Sequence, residues 1–228
     1  MTATTTPRNP GWTVQLAVHR AVRRDVARLS GALAEGRGTS PTAISAYWAE
    51  TASQLHHHHE FEDTLVWPLM GERLGGRVES LLARNGREHL AMATAMDEFD
   101  AVVDTMTMDT AAGRDALGRL KEAIETHLRD EEADVLPLIP EAFTLDDIAF
   151  FQAESAKTNP PQAFLPWVLD DAPDADLAFF TGHMPAPIRA QLESNWMPRR
   201  RMTVDALQAV HLEAAATSRL ATAQSDVR

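Results

Sequence analysis

The feature that most constrains this chain is a His-x-x-x-Glu pair that occurs twice, as His58 with Glu62 and as His127 with Glu131. At 3.6 residues per turn, a spacing of four places both side chains on the same face of a helix, one above the other. Each glutamate is followed by a second acidic residue, and each motif ends at a proline, Pro68 or Pro137. The repetition predicts a duplicated unit whose helices carry ligand-type side chains.

A lone histidine precedes each pair at nearly the same distance, His19 before His58 and His89 before His127. Four apolar stripes with helical periodicity contain these residues. They run from Trp12 to Leu33, Ile44 to Leu69, Val78 to Met106 and Leu117 to Leu138, and breaks fall at residues 36–41, at Gly75-Gly76 and near Asp109-Thr110. Ser40 can cap the second helix and Pro41 can open it.

Long helices joined by short turns favour an all-α fold, an up-down-up-down antiparallel four-helix bundle over residues 10–140. The histidines and glutamates then fall at a similar height on all four helices. Residues 141–205 are rich in proline and aromatic side chains. We expect them to form an extension of short helices that packs on the bundle or on a partner subunit, as a lid or a homodimer contact. Residues 206–228 have the composition of a polar tail.

The net charge of −12 and the absence of a long basic run argue against a nucleic-acid partner. The chain has no cysteine, which excludes disulfides, thiolate metal sites and thiol catalysis. The first residues do not resemble a signal peptide, and no stretch is long and apolar enough to span a bilayer, so we expect a cytoplasmic protein without a membrane partner.

Polar side chains in a bundle core are costly unless they are paired, so six ligand-type residues at one level imply a compensating group. A pair of metal ions is the simplest one, and imidazole with carboxylate suits iron, manganese or zinc. The predicted ligands are His19, His58, Glu62, His89, His127 and Glu131. We expect His56, His57 and His59 to lie at the surface or to support the ligands through a carboxylate such as Asp63.

These residues resemble the hemerythrin family, the His-His-Glu cation-binding bundle, over roughly residues 12 to 140. The resemblance rests on His19, on the segment from His57 to Pro68, on Glu88-His89 and on the segment from His127 to Pro137. It implies a non-haem di-iron centre bridged by Glu62, Glu131 and an oxo or hydroxo group. The four histidines of the predicted set would be terminal ligands, and an open position would bind dioxygen, peroxide or another small oxidant.

One position departs from the family pattern, because Asn85 stands where oxygen-carrying hemerythrins have a second histidine on the third helix. A substitute ligand such as Tyr47, His57, Glu60 or Glu132 could be recruited, or one iron could be more accessible. The main hypothesis is oxygen binding or sensing. The alternatives are a di-iron oxidoreductase that consumes peroxide or nitric oxide, and a metal-storage or purely structural bundle, so the sequence leaves enzymatic activity undecided.

Overall fold

The computed structural model describes residues 9–34, 40–105, 110–182 and 184–208, and these residues form helices and short connections without any β-strand. The helices are α1 (Pro10–Ala32), α2 (Pro41–Phe61), α3 (Trp67–Leu74), α4 (Glu79–Thr105), α5 (Thr110–Asp134), α6 (Ile139–Ala142), α7 (Leu145–Thr158), α8 (Pro161–Leu169), α9 (Asp174–Gly182), α10 (Ala186–Gln191) and α11 (Met197–Gln208). The expected all-helical class is therefore confirmed. None of these helices combines the length and apolarity that crossing a bilayer requires.

Helix starts follow simple capping chemistry. The Asn9 side chain accepts a 2.9 Å hydrogen bond from the Gly11 N–H, and Pro10 occupies the first turn of α1, where a missing N–H costs nothing. Pro41 opens α2 in the same way, but the Ser40 side chain makes no cap hydrogen bond. At α7, Thr144 and Asp147 form a reciprocal capping box.

The two copies of the motif differ just after the glutamate. Pro68 has no N–H to donate to the carbonyl four residues earlier, and the chain forms a π-helical turn at Glu62–Val66 in which the Trp67 N–H bonds to the Glu62 carbonyl. The helix then continues as α3. In the second copy the helix ends at Asp134, and Pro137 lies within a 3-10 turn at Leu136–Leu138. The π-helical turn therefore begins at one of the two glutamates, Glu62.

Two apolar clusters form the core. The larger one joins α1, α2, α4 and α5, and the smaller one includes Trp67, Met70 and Leu136. Each of α2, α4 and α5 contributes residues to both clusters or runs from one cluster to the other. The ligand-type residues lie near the point where this change occurs. Helix α1 contacts α2 and α5, while α4 contacts α2 and α5. The four long helices therefore surround one interior.

The C-terminal helices pack on these long helices within the same chain. Trp167 and Leu169 of α8 and Val204 of α11 join the larger apolar cluster. Near the amino end of α1, a Cβ added to Gly11 would lie 2.6 Å from Ile148 Cδ1 of α7. A larger residue there would force the end of the Ile148 side chain to move. Apart from its first three residues, at the end of α11, the predicted polar tail lies outside the described residues.

A buried charge network also links the extension to α1 and α2. Arg200 of α11 donates to both carboxylate oxygens of Asp25 at 2.9 and 3.1 Å, and to Tyr47 at 2.9 Å. Asp25 is fully buried and also accepts from Trp167 Nε1 at 2.8 Å. Arg200 contacts Asp170 as well, at 3.0 Å. Since a buried charge is tolerated only when paired, neither partner can be removed without cost.

Candidate metal centre

The structure brings all six predicted ligand residues together in the interior. His19 lies on α1, His58 on α2, His89 on α4, His127 and Glu131 on α5, and Glu62 at the start of the π-helical turn; none is more than 8% exposed. Three groups have donor atoms within 4.8 Å of one another. They are His19 with His58 and Glu131; Glu62 with His127 and Glu131; and His59 with His89 and His127.

The two glutamates lie between histidines of different helices. Glu131 Oε2 is 3.5 Å from His19 Nε2 and 3.1 Å from His127 Nε2. Glu62 Oε1 is 3.5 Å from His58 Nδ1, while its Oε2 is 3.6 Å from His89 Nε2. Each carboxylate can therefore face two cation positions, which is what a bridging ligand requires.

His59 is the residue that the sequence interpretation missed. It was expected at the surface or in a supporting role, but it is only 8% exposed. Its ring stacks on that of His89, with 4.2 Å between centroids, and lies 5.3 Å from the ring of His127. His58 and His59 thus face different halves of the site, because His58 instead lies against His19, at 5.4 Å.

None of the four substitutes proposed for the missing histidine belongs to the three groups of donor atoms. Tyr47 bonds to Asp25, Glu60 is exposed, His57 contacts the Ser155 hydroxyl at 3.0 Å, and Glu132 bonds to a ring nitrogen of His19. Asn85 itself is 1% exposed, and neither polar atom of its amide has a hydrogen-bond partner. The sequence signals that could have identified His59 are Asn85 itself and the run of four consecutive histidines.

Buried polar atoms without hydrogen-bond partners concentrate at this site. They include the Nε2 atoms of five histidines and carboxylate oxygens of both glutamates: His19, His58, His59, His89, His127, Glu62 and Glu131. An unsatisfied buried acceptor costs about 1–3 kcal/mol, and more if charged, so this concentration needs an explanation. Cations between these atoms would satisfy all of them, and the imidazole and carboxylate donors fit a first-row metal.

Carboxylates outside the cluster orient three of the histidine rings. Each contacts an Nδ1 atom: Glu132 that of His19 at 2.9 Å, Asp63 that of His89 at 2.9 Å, and Glu88 that of His127 at 3.4 Å. A carboxylate at Nδ1 favours the tautomer with the proton there, which leaves the Nε2 lone pair free for a metal. Asp63 was expected to support one of the histidines of α2; it supports one on α4 instead.

The protonation of the cluster suits cation binding. Burial lowers the pKa of His58, His59 and His89, so these rings are neutral near pH 7. Burial and the nearby Glu131 raise the pKa of Glu62 well above its usual range. Burial opposes ionisation of Glu131 too, but the adjacent histidines hold its pKa at about 2. A cation would favour ionisation of both carboxylates.

Comparison with known proteins agrees with this geometry. The family description "Hemerythrin HHE cation binding domain" matches residues 11–139, the region that contains all seven clustered residues. Neither a search of curated proteins nor a search of solved structures returned a match. The family match covers more than half of the chain. The chain therefore belongs to the hemerythrin HHE cation-binding family.

Proposed function

We propose that the protein holds a non-haem di-iron centre that binds dioxygen or a related small oxidant. The observation that carries the proposal is the set of buried histidine and glutamate atoms that face one another without partners. The proposal includes the up-down-up-down antiparallel order of the four long helices. The short connections between α1 and α2 and between α4 and α5 support that order.

In this proposal each half of the site holds one ion. His59, His89 and His127 would bind the first, since their donor atoms form one group. His19 and His58 would bind the second, and Glu62 and Glu131 would bridge the two. The support is that each carboxylate lies within 3.6 Å of a histidine nitrogen from each half.

The two halves differ in the number of protein donors, three histidines against two. The second half therefore has room for a small external ligand next to His19 and His58. When bound, ferrous iron would supply the binding position and the electrons that dioxygen requires. His59 also supplies the donor that Asn85 does not, so reversible binding is the function that the donor set supports best.

The test is the visible spectrum of iron-loaded protein before and after exposure to air and again after oxygen removal. We expect a new absorption band in air that disappears under inert gas, with Glu62→Gln failing to develop it. No new band would refute the proposal. Sustained consumption of peroxide or nitric oxide would select the oxidoreductase alternative instead.

A further inference from the structure

A cavity of about 680 Å³ lies between the long helices and the C-terminal extension. Val14 and Val18 of α1 form part of its bundle side, and Phe151, Phe164 and Phe180 contribute from the extension. The cavity is partly open to solvent. Its volume falls within the range of about 300–1,000 Å³ that is typical of small-molecule sites, whose walls are mostly apolar.

The cavity reaches the candidate metal centre. His58 and Glu62 line it, and so does Gln15, whose side-chain amide donates a hydrogen bond to Glu62 Oε1. His58 belongs to the half of the site with fewer protein donors. A molecule in the cavity would therefore lie beside the position where a small external ligand has room.

The charges around the cavity restrict its ligand. Among the described residues that line it there is no lysine, arginine or aspartate, and Glu62 is the one carboxylate. Away from His58 and Glu62, an anionic group in the cavity would lose its hydration without meeting a cationic side chain, which is strongly unfavourable. The cavity therefore favours an uncharged molecule.

A few polar groups in the wall can fix the orientation of such a molecule. Gln54 and Asn159 bond to each other through both amides, at 2.8 and 3.3 Å. Each amide keeps a second N–H and a second lone pair, which can serve one uncharged hydroxyl or carbonyl group. The remaining wall is largely aliphatic and aromatic.

We propose that this cavity binds a neutral, apolar organic molecule that carries a single uncharged hydrogen-bonding group. The extension thereby adds an organic ligand site to the metal-binding bundle. The inference goes beyond oxidant binding and depends on the cavity rather than on the identity of the metal. Binding would place the organic molecule against Glu62 and His58.

The test is fluorescence titration of the full chain, as purified, with the neutral probe N-phenyl-1-naphthylamine. Ala153 and Ala156 of α7 are both exposed, but only Ala156 lines the cavity. We expect Ala156→Phe and Val14→Phe to weaken probe binding by at least about tenfold, and Ala153→Phe to leave it unchanged, because only the first two fill the cavity. On protein freed of metal by a chelator, we also expect 1-dodecanol to displace the probe at least about tenfold better than dodecanoate, because the carboxylate then meets neither a metal ion nor a cationic side chain among the described lining residues.

Absence of saturable probe binding, equal affinity in all three variants, or equal displacement by the alcohol and the carboxylate would each overturn the inference. Metal content measured on the same samples keeps the two proposals separate. A chain that binds the probe but no metal would refute the di-iron centre alone, and a chain that binds metal but no probe would refute the organic ligand site alone.

Discussion

Replacement of His59 by alanine tests the assignment that the structure added to the sequence interpretation. A structural zinc site with four protein ligands binds its ion with about 10–16 kcal/mol, which is roughly 3 kcal/mol per ligand. Because 1.4 kcal/mol corresponds to tenfold in affinity, loss of one ligand predicts about 100-fold weaker binding of one ion. The second ion, held by His19 and His58, should be affected less.

The assay is competition of the loaded protein against a chelator of known affinity, followed by elemental analysis. His56→Ala is the matched control, since His56 lies on the same helix but is exposed. His59→Ala should lose one ion at chelator concentrations that leave the control fully loaded. Equal retention of metal by both variants would show that His59 is only a packing residue, whatever the change in unfolding free energy.

Two further predictions concern the attachment of the extension. Arg200→Met leaves the buried Asp25 carboxylate with Arg24, at 2.7 Å, as its remaining cation, and should lower the free energy of unfolding in denaturant by about 1–3 kcal/mol. The exposed Arg199→Met should change it little. A loss as small as the control's would contradict the network. Gly11→Ala should cost about 1 kcal/mol, the low end of the range for overpacking, because its Cβ would displace only the end of the Ile148 side chain of α7. Gly118→Ala, in open space on α5, should instead stabilise by about 1 kcal/mol, and the same sign for both would refute the packing argument.

The sequence predicts those parts of the molecule that depend on local periodicity. The apolar stripes lie on the long helices because a 3.6-residue period buries one face. The spacing of four in each His-x-x-x-Glu pair places both side chains on that face. The lone histidines His19 and His89 could be assigned because they precede the pairs at nearly equal distances.

His59 could not be assigned in this way, because adjacent residues on a helix point about 100° apart and a single stripe holds only one of them. Helix α2 contacts both α1 and α4, so it has two buried faces rather than one. His58 lies against His19 of α1 and His59 against His89 of α4. Only the tertiary arrangement shows that both faces are interior.

The pairing of Asp25 with Arg200 could not be predicted from the sequence for a different reason. Its two charged residues are far apart in the chain and belong to no repeated motif. Their pairing depends on how α11 packs across α1 and α2, which periodicity does not determine. Likewise, the two motif prolines have the same spacing from their glutamates, yet one comes just after a π-helical turn and the other lies within a 3-10 turn.

The central claim is that two glutamates and five histidines together hold a pair of metal ions. Elemental analysis of the protein purified without added metal tests it most directly, with Glu62→Gln/Glu131→Gln as the variant and the exposed Glu60→Gln as the control. We expect two ions per chain, predominantly iron, in the unaltered protein and the control, and almost none in the double variant. A protein without stoichiometric metal, or a double variant that keeps its full metal content, would contradict the claim.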